Sequence, residues 1–184
     1  QARFPLQHTL IFSDREDCWN DRPVCRIPKM QSLEDYNRCI FYELPQLLKT
    51  PYALIIQYDG FVLDGAQFSD AFLQWDYIGA VLPHFQFHTV GNGGFSLRSK
   101  HLIESVQRYL LPSDLHKGED VVICRYLRAR LEDAENIKFA PEPIAERFSF
   151  ELNFSKSTTF GFHGVFHLPK FVQQDLLYSH LQPK

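Results

Sequence analysis

Long apolar runs are missing from this 184-residue chain, and no stretch approaches the ~20 apolar residues of a membrane-spanning helix. A charged-then-apolar leader is missing as well, so the cytoplasm is the expected compartment. The chain opens on Gln1 rather than Met, which implies that a tag, a maturation cut or a truncation has removed something upstream. Cysteine is scarce: Cys18, Cys25, Cys39 and Cys124 form no C-x-x-C pair and are too few for a disulfide scaffold, so free thiols in a reducing compartment are expected. Charge of one sign is also lacking. With 19 basic and 22 acidic residues well mixed and a net charge of −3, no field would hold a nucleic-acid backbone or an anionic membrane. No repeat, linker or low-complexity tract divides residues 1–184, which therefore read as a single domain.

What is present suits one α/β layer structure. Hydrophobic residues make up 45% of the chain, enough for one core, and 17 Phe, 8 Tyr and 2 Trp can pack it or stack on a base or sugar ring. His8 to Asp14 is apolar and ends in turn formers, which predicts a buried parallel strand, and Arg15 to Lys29 reads as a polar loop. Ser32 and Asp35 form a capping-box variant ahead of Leu33, Tyr36, Ile40, Leu44 and Leu47, which share one helical face; Pro45 should bend or end that helix. YALIIQ, Tyr52 to Gln57, is the strongest strand signal and is expected at the centre of the sheet. Asp70 to Ala80 reads as a short helix and a strand. Val90 to Ser99 predicts a glycine-rich turn leading into a helix through Leu102, Ile103, Val106 and Leu110. Glu119 to Glu132 predicts an amphipathic helix with Ile123, Leu127 and Leu131 inward, Ile137 to Ala140 a further strand, and Phe160 to Gly164 a loop.

Four places could carry chemistry. Asp59 puts a carboxylate just beyond a buried strand, where a metal or a ribose could sit, although Asp-Gly pairs also simply open turns. Gly91-Asn92-Gly93-Gly94 strips side chains from three of four positions, so that backbone N–H groups can approach a ligand; a flexible turn would look the same. Glu119-Asp120 sits at a helix start, which favours ionised carboxylates able to accept a proton, and acids are common there as dipole partners alone. His163, between Gly161 and Gly164, could reach a metal or be merely solvated.

Together, Gln57-Tyr58-Asp59-Gly60-Phe61, Trp75 to Ala80, Gly91 to Ser99, Glu119-Asp120 and Phe160 to Gly164 resemble a bacterial domain of unknown function related to GT-A glycosyltransferases, over about His8 to His167. The resemblance implies an α/β, GT-A-like nucleotide-sugar-binding fold: a mostly parallel central sheet flanked by helices, N-terminally truncated because residues 1–7 cannot supply a first strand and helix. A partner chain or a missing N-terminal segment would complete that sheet. It also implies roles. Asp59 stands for the last carboxylate of a metal-binding Asp-x-Asp motif, with Gln57 in place of the first, and His163 completes a Mn²⁺ or Mg²⁺ site. Asn92, Gly93 and Gly94 line the donor and acceptor pocket, Ser13, Asp14 and Arg15 meet the nucleobase or ribose, and Asp120, with Glu119 beside it, is the acceptor-side base. Arg98 or Arg15 would replace the cation in a metal-free site.

The implied reaction moves a sugar from a nucleoside-diphosphate donor to an acceptor hydroxyl, with inversion, in glycan or surface-polysaccharide synthesis. The alternative is a non-catalytic glycan- or nucleotide-binding module derived from a truncated transferase fold. A two-carboxylate glycosidase is a third reading.

Overall fold

A computed structural model describes residues 6–15, 24–152 and 158–171. β1 (Ile11–Ser13) and β2 (Val24–Arg26) form a parallel pair, Ile11 opposite Val24 and Ser13 opposite Arg26. The strand expected over His8 to Asp14 thus survives as three half-buried residues, and β2 falls inside the stretch read as a loop. Residues 16–23 of that stretch lie outside the described residues.

The capping box forms as predicted. Ser32 Oγ accepts from the Asp35 N–H at 3.2 Å, and the Asp35 carboxylate accepts from the Ser32 N–H at 3.0 Å and from the Gln31 N–H at 2.9 Å. It starts α1 (Leu33–Arg38), which continues through a π turn (Cys39–Glu43) into α2 (Leu44–Leu47). The helix ends at Leu47, two residues beyond Pro45, as expected near that proline. Pro45 has no N–H for the Phe41 carbonyl four residues back; the ladder widens so that the Leu44 N–H bonds Cys39 O, and the Phe41 carbonyl accepts from Gln107 Nε2 at 2.6 Å instead.

The remaining elements are β3 (Tyr52–Ile56), β4 (Gly60–Val62), β5 (Tyr77–Ile78), β6 (Phe95–Ser99), α3 (Lys100–Gln107), α4 (Glu119–Val121), α5 (Arg128–Glu135), α6 (Glu142–Phe148), β7 (Ser149–Phe150), β8 (Gly161–His163) and α7 (Leu168–Phe171). A second π turn (Val122–Tyr126) joins α4 to α5. One sheet has the order β3-β6-β5, all antiparallel; another has the order β4-β8-β7, in which β8 runs antiparallel to β4 and parallel to β7.

This overturns the expected GT-A-like fold. Among the described residues there is no mostly parallel central sheet flanked by helices: two short parallel pairs stand beside three antiparallel ones. Here β6 lies between β3 and β5 and runs antiparallel to both, and β4, the next strand after β3, enters the other sheet.

YALIIQ is also displaced from the centre. β3 pairs only with β6 among the described residues, so it is an edge, and β6, read from sequence as part of a turn, is the central strand with all five residues buried. Its polar residues concealed it: Ser96 Oγ donates to Gly93 O at 3.1 Å, and Ser99 Oγ donates to Asp76 at 2.6 Å while capping α3. The expected loop at Phe160 to Gly164 contains β8, central in the other sheet. Gly161 serves packing, since a Cβ there would lie 2.2 Å from Phe95 Cζ. The expected strand at Ile137 to Ala140 reduces to one bridge, Tyr77 to Phe139.

A cluster of Phe72, Phe95, Phe148 and Phe160, each 0% exposed, binds β6 to the segment entering β8. Ring centroids lie 5.3 Å apart for Phe95–Phe148 and 5.7 Å for Phe95–Phe160. Cys25, Cys39 and Cys124 are free thiols, and Cys18 falls outside the described residues. No described helix is long and apolar enough to cross a membrane.

Candidate functional site at the junction of two sheets

A cleft of about 300 Å³ opens where the two three-stranded sheets meet. Leu33 and Tyr36 reach it from α1, Gln57 from the turn after β3, and Asn92 to Gly94 from the loop entering β6. Gly118 to Asp120 reach it from the start of α4, Glu151 from beyond β7, and His163 from the end of β8.

Backbone hydrogen bonds fix this wall. The Gln57 N–H donates to Gly94 O at 2.7 Å, tying the β3–β4 turn to the glycine loop. Asn92 has a positive φ of 69°, a conformation that Asn tolerates, and its Oδ1 accepts from the Phe95 N–H at 3.0 Å. The Tyr77 hydroxyl donates to Asn92 O at 2.8 Å, and Asp120 Oδ2 accepts from the Asn92 N–H at 3.2 Å. Before α4, buried Asn37 donates to Leu115 O and Lys117 O at 2.8 and 2.6 Å, pinning the chain ahead of the acid pair.

The glycines make room for side chains of the site itself. A Cβ on Gly93 would lie 1.8 Å from Glu119 Oε1, and one on Gly94 would lie 2.0 Å from His163 Nε2. Bare backbone at these two positions lets one carboxylate and one imidazole press against the loop.

Two electrostatic centres result. Glu119, 3% exposed, pairs with Arg98, 1% exposed, at 2.7 Å, and the Tyr36 hydroxyl approaches the same Oε1 at 3.4 Å. Burial raises the Glu119 carboxyl above its ordinary value against the opposing pull of Arg98. Glu119 Oε2 and Arg98 Nη1 are buried without hydrogen-bond partners.

At the other centre, His163 Nδ1 lies 3.1 Å from Glu151 Oε1, while its Nε2 lies 3.1 Å from Asp59 Oδ1 and 3.2 Å from Gln57 Oε1. Burial disfavours the imidazolium, but Glu151 and Asp59 outweigh it and raise the His163 value above the ordinary one. Glu151 moves the other way: burial works against its charge, yet the His163 hydrogen bond and the Asn92 amide hold it below the usual carboxylate range.

Residues 25–163 match the family described as "Protein of unknown function (DUF5672)". The chain belongs to that family. No curated protein and no solved structure matches the chain. The DUF5672 match spans every residue lining the cleft, from Leu33 to His163, together with Asp59 and Arg98. It excludes Ser13, Asp14 and Arg15.

The fold brings together Gln57, Asn92, Gly93, Gly94, Glu119, Asp120 and His163 of the expected site. Asp59 stands just behind, touching His163 rather than lining the cleft. Ser13, Asp14 and Arg15 do not line it; they close β1, where the Arg15 N–H donates to Ser13 Oγ at 3.1 Å. Arg98 is not a ligand-facing cation, because its charge is committed to Glu119 inside the fold. Tyr36 was missed by the sequence reading, and Glu151 was not assigned to the site, because neither belongs to a motif; only the turn of α1 and the end of β7 bring them in. Among the described residues, no group of three or more His, Cys, Asp and Glu is disposed to hold a metal ion.

Proposed function

We propose that this DUF5672 chain transfers a sugar from a nucleoside-diphosphate donor to an acceptor hydroxyl, in glycan or surface-polysaccharide synthesis. The observation carrying this reading is the meeting, at one cleft, of bare backbone at Gly93 and Gly94, a carboxylate at Asp120 that is not spent on Arg98, and the Asp59–His163 contact. Asp120 takes the acceptor's proton as the acceptor oxygen bonds to the anomeric carbon. The bond from that carbon to the diphosphate breaks with its electron pair leaving on the diphosphate, which inverts the centre. General-base help of this kind contributes ~10²–10⁴-fold.

The resemblance assigns Asp59 and His163 to Mn²⁺ or Mg²⁺, but the residues present do not fit an ion between them: Asp59 Oδ1 is paired with His163 Nε2 at 3.1 Å, and the Gly94 backbone packs against that nitrogen. Glu119, held by Arg98, orients the wall beside Asp120.

The second reading, a glycan-binding module without turnover, is favoured by one observation: about 300 Å³ suits a single sugar ring better than a whole nucleotide sugar. A panel of uridine- and guanosine-diphosphate sugars, assayed for nucleotide release with and without acceptor glycans, separates the two. Release from any donor supports transfer. Calorimetric binding of free sugars with no release from any donor supports the module and ends the transferase reading.

A further inference from the structure

We infer that Asn92 is the positioning residue of the cleft: its backbone N–H aims the Asp120 carboxylate, and its carboxamide governs the hydrogen bonding of the His163–Glu151 pair on the other side. Asp120 is the base only within the transferase reading, on which that half rests; the hold on His163 and Glu151 stands without it.

Asn92 is 3% exposed, yet every polar atom it has is in use. Its N–H donates to Asp120 Oδ2 at 3.2 Å, its carbonyl accepts from the Tyr77 hydroxyl at 2.8 Å, and its Oδ1 accepts from the Phe95 N–H at 3.0 Å. Nδ2 lies 3.0 Å from His163 Nδ1 and also hydrogen-bonds the Glu151 carboxylate. The start of α4, β5, β6 and the far ends of β7 and β8 therefore meet on one residue. The Oδ1 bond closes a local turn around a φ of 69°, which Asn tolerates and most residues do not. The fold also clears space for this peptide: a Cβ on Gly79 would lie 1.9 Å from Gly91 O and 2.8 Å from Asn92 O.

The carboxamide complements His163 in either protonation state. Nε2 faces acceptor oxygens, Asp59 Oδ1 at 3.1 Å and Gln57 Oε1 at 3.2 Å, so it carries a proton. Nδ1 faces an acceptor, Glu151 Oε1 at 3.1 Å, and a donor, Asn92 Nδ2 at 3.0 Å. A protonated Nδ1 donates to Glu151, and an unprotonated one accepts from Asn92. Glu151 stays anchored in both states, because the other hydrogen of the same amide reaches its carboxylate.

Two substitutions separate these duties. Asn92→Gly keeps the backbone conformation and its N–H but drops both side-chain anchors. Asn92→Asp keeps an oxygen for the Phe95 N–H and tolerates the same φ, but it removes the donor and sets a negative charge against Glu151 and near Asp120.

The test uses the full chain and reads two signals, with thermal melts to confirm that each variant is folded. The first is the imidazole ¹⁵N spectrum of His163, assigned by its loss in His163→Gln. Nε2 should keep its proton throughout, and the pH at which Nδ1 loses its own should rise by about one pH unit or more in Asn92→Asp and by less in Asn92→Gly. The second is transfer, measured with the donor and acceptor that give it. Asn92→Gly should lower kcat ~10-fold or more with KM for the donor nearly unchanged, because a displaced base loses its line to the acceptor hydroxyl. Asn92→Asp should recover part of that rate at high pH, and the acidic limb of its kcat/KM profile should lie above that of wild type, because the added charge favours protonated Asp120. Ring signals that respond to pH identically in wild type and both variants overturn the hold on His163. Unchanged kcat in folded Asn92→Gly, or an acidic limb that stays in place in Asn92→Asp, overturns the hold on Asp120. A chain that transfers from no donor, while its His163 signals move as expected, ends the transferase reading and leaves Asn92 as the residue that holds His163 and Glu151.

Discussion

Glu119 and Asp120 are neighbours in sequence with opposite surroundings. Glu119 is sealed against Arg98 and the Gly93 backbone, whereas Asp120 is half-buried at the cleft and accepts one backbone N–H. Their variants should therefore differ in kind. Asp120→Asn keeps size and hydrogen bonding but loses basicity, so transfer should fall ~10²-fold or more with donor affinity nearly unchanged, as single-turnover rates and equilibrium titration would measure. Near-normal turnover would send the search for the base to Glu151, which also lines the cleft. Gly93→Ala tests packing instead. Its Cβ would strike Glu119 Oε1 at 1.8 Å, with Arg98 Nη2 3.2 Å away, so urea unfolding should show a loss of about 1–3 kcal/mol. A stability equal to wild type would mean that the Arg98–Glu119 pair moves freely, and the division of labour between the two acids would lapse.

At the scale of elements, the 3₁₀ turn Pro112–His116 delivers the acid pair to the cleft. Asp114 organises it: its Oδ2 accepts from the Leu111 N–H at 3.0 Å and its Oδ1 from Lys117 Nζ at 2.8 Å. Burial works against the Asp114 charge, but the Lys117 and Leu111 bonds prevail and its folded value lies below 3.8. A lowered carboxylate stabilises the fold above its unfolded value and loses that stabilisation as pH falls through the folded one. Asp114→Asn should accordingly melt below wild type at pH 5 to 7, and the gap should close as the pH drops below about 4. A gap independent of pH would assign the effect to lost shape rather than lost charge. The capping box is a second element-scale test: Ser32→Ala should cost about 1 kcal/mol in denaturant unfolding, since it orphans the Asp35 N–H at the start of α1, which carries Tyr36.

At the scale of the whole molecule, aromatic packing joins the two small sheets that border the cleft. Phe95 belongs to β6 and touches Phe148 and Phe160, which flank β7 and β8. Phe95→Ala should cost about 3–5 kcal/mol by chemical denaturation, and a stability equal to wild type would show that the ring is not what joins the two sheets.

The sequence by itself determined what depends on neighbours along the chain. The Ser32–Asp35 cap, the inward Ile123, Leu127 and Leu131, the short helix and strand within Asp70 to Ala80, and the candidacy of Asp59, Gly93, Gly94, Asp120 and His163 all follow from local spacing and turn chemistry. Strand pairing was beyond that reach. Periodicity marks YALIIQ as a strand but carries no register or neighbour, so the expected parallel, GT-A-like sheet gave way to antiparallel pairing between strands distant in sequence. The polar residues of β6 and the glycines around β8 hid two central strands, because Ser96 bonds Gly93, Arg98 pairs with Glu119, and Gly161 is required by Phe95. Only the tertiary structure decided that Arg98 serves Glu119, that Tyr36 and Glu151 join the cleft, and that Ser13 to Arg15 stay apart from it. Each of these is a long-range contact, fixed by which surfaces the core brings together and invisible in any window of the chain.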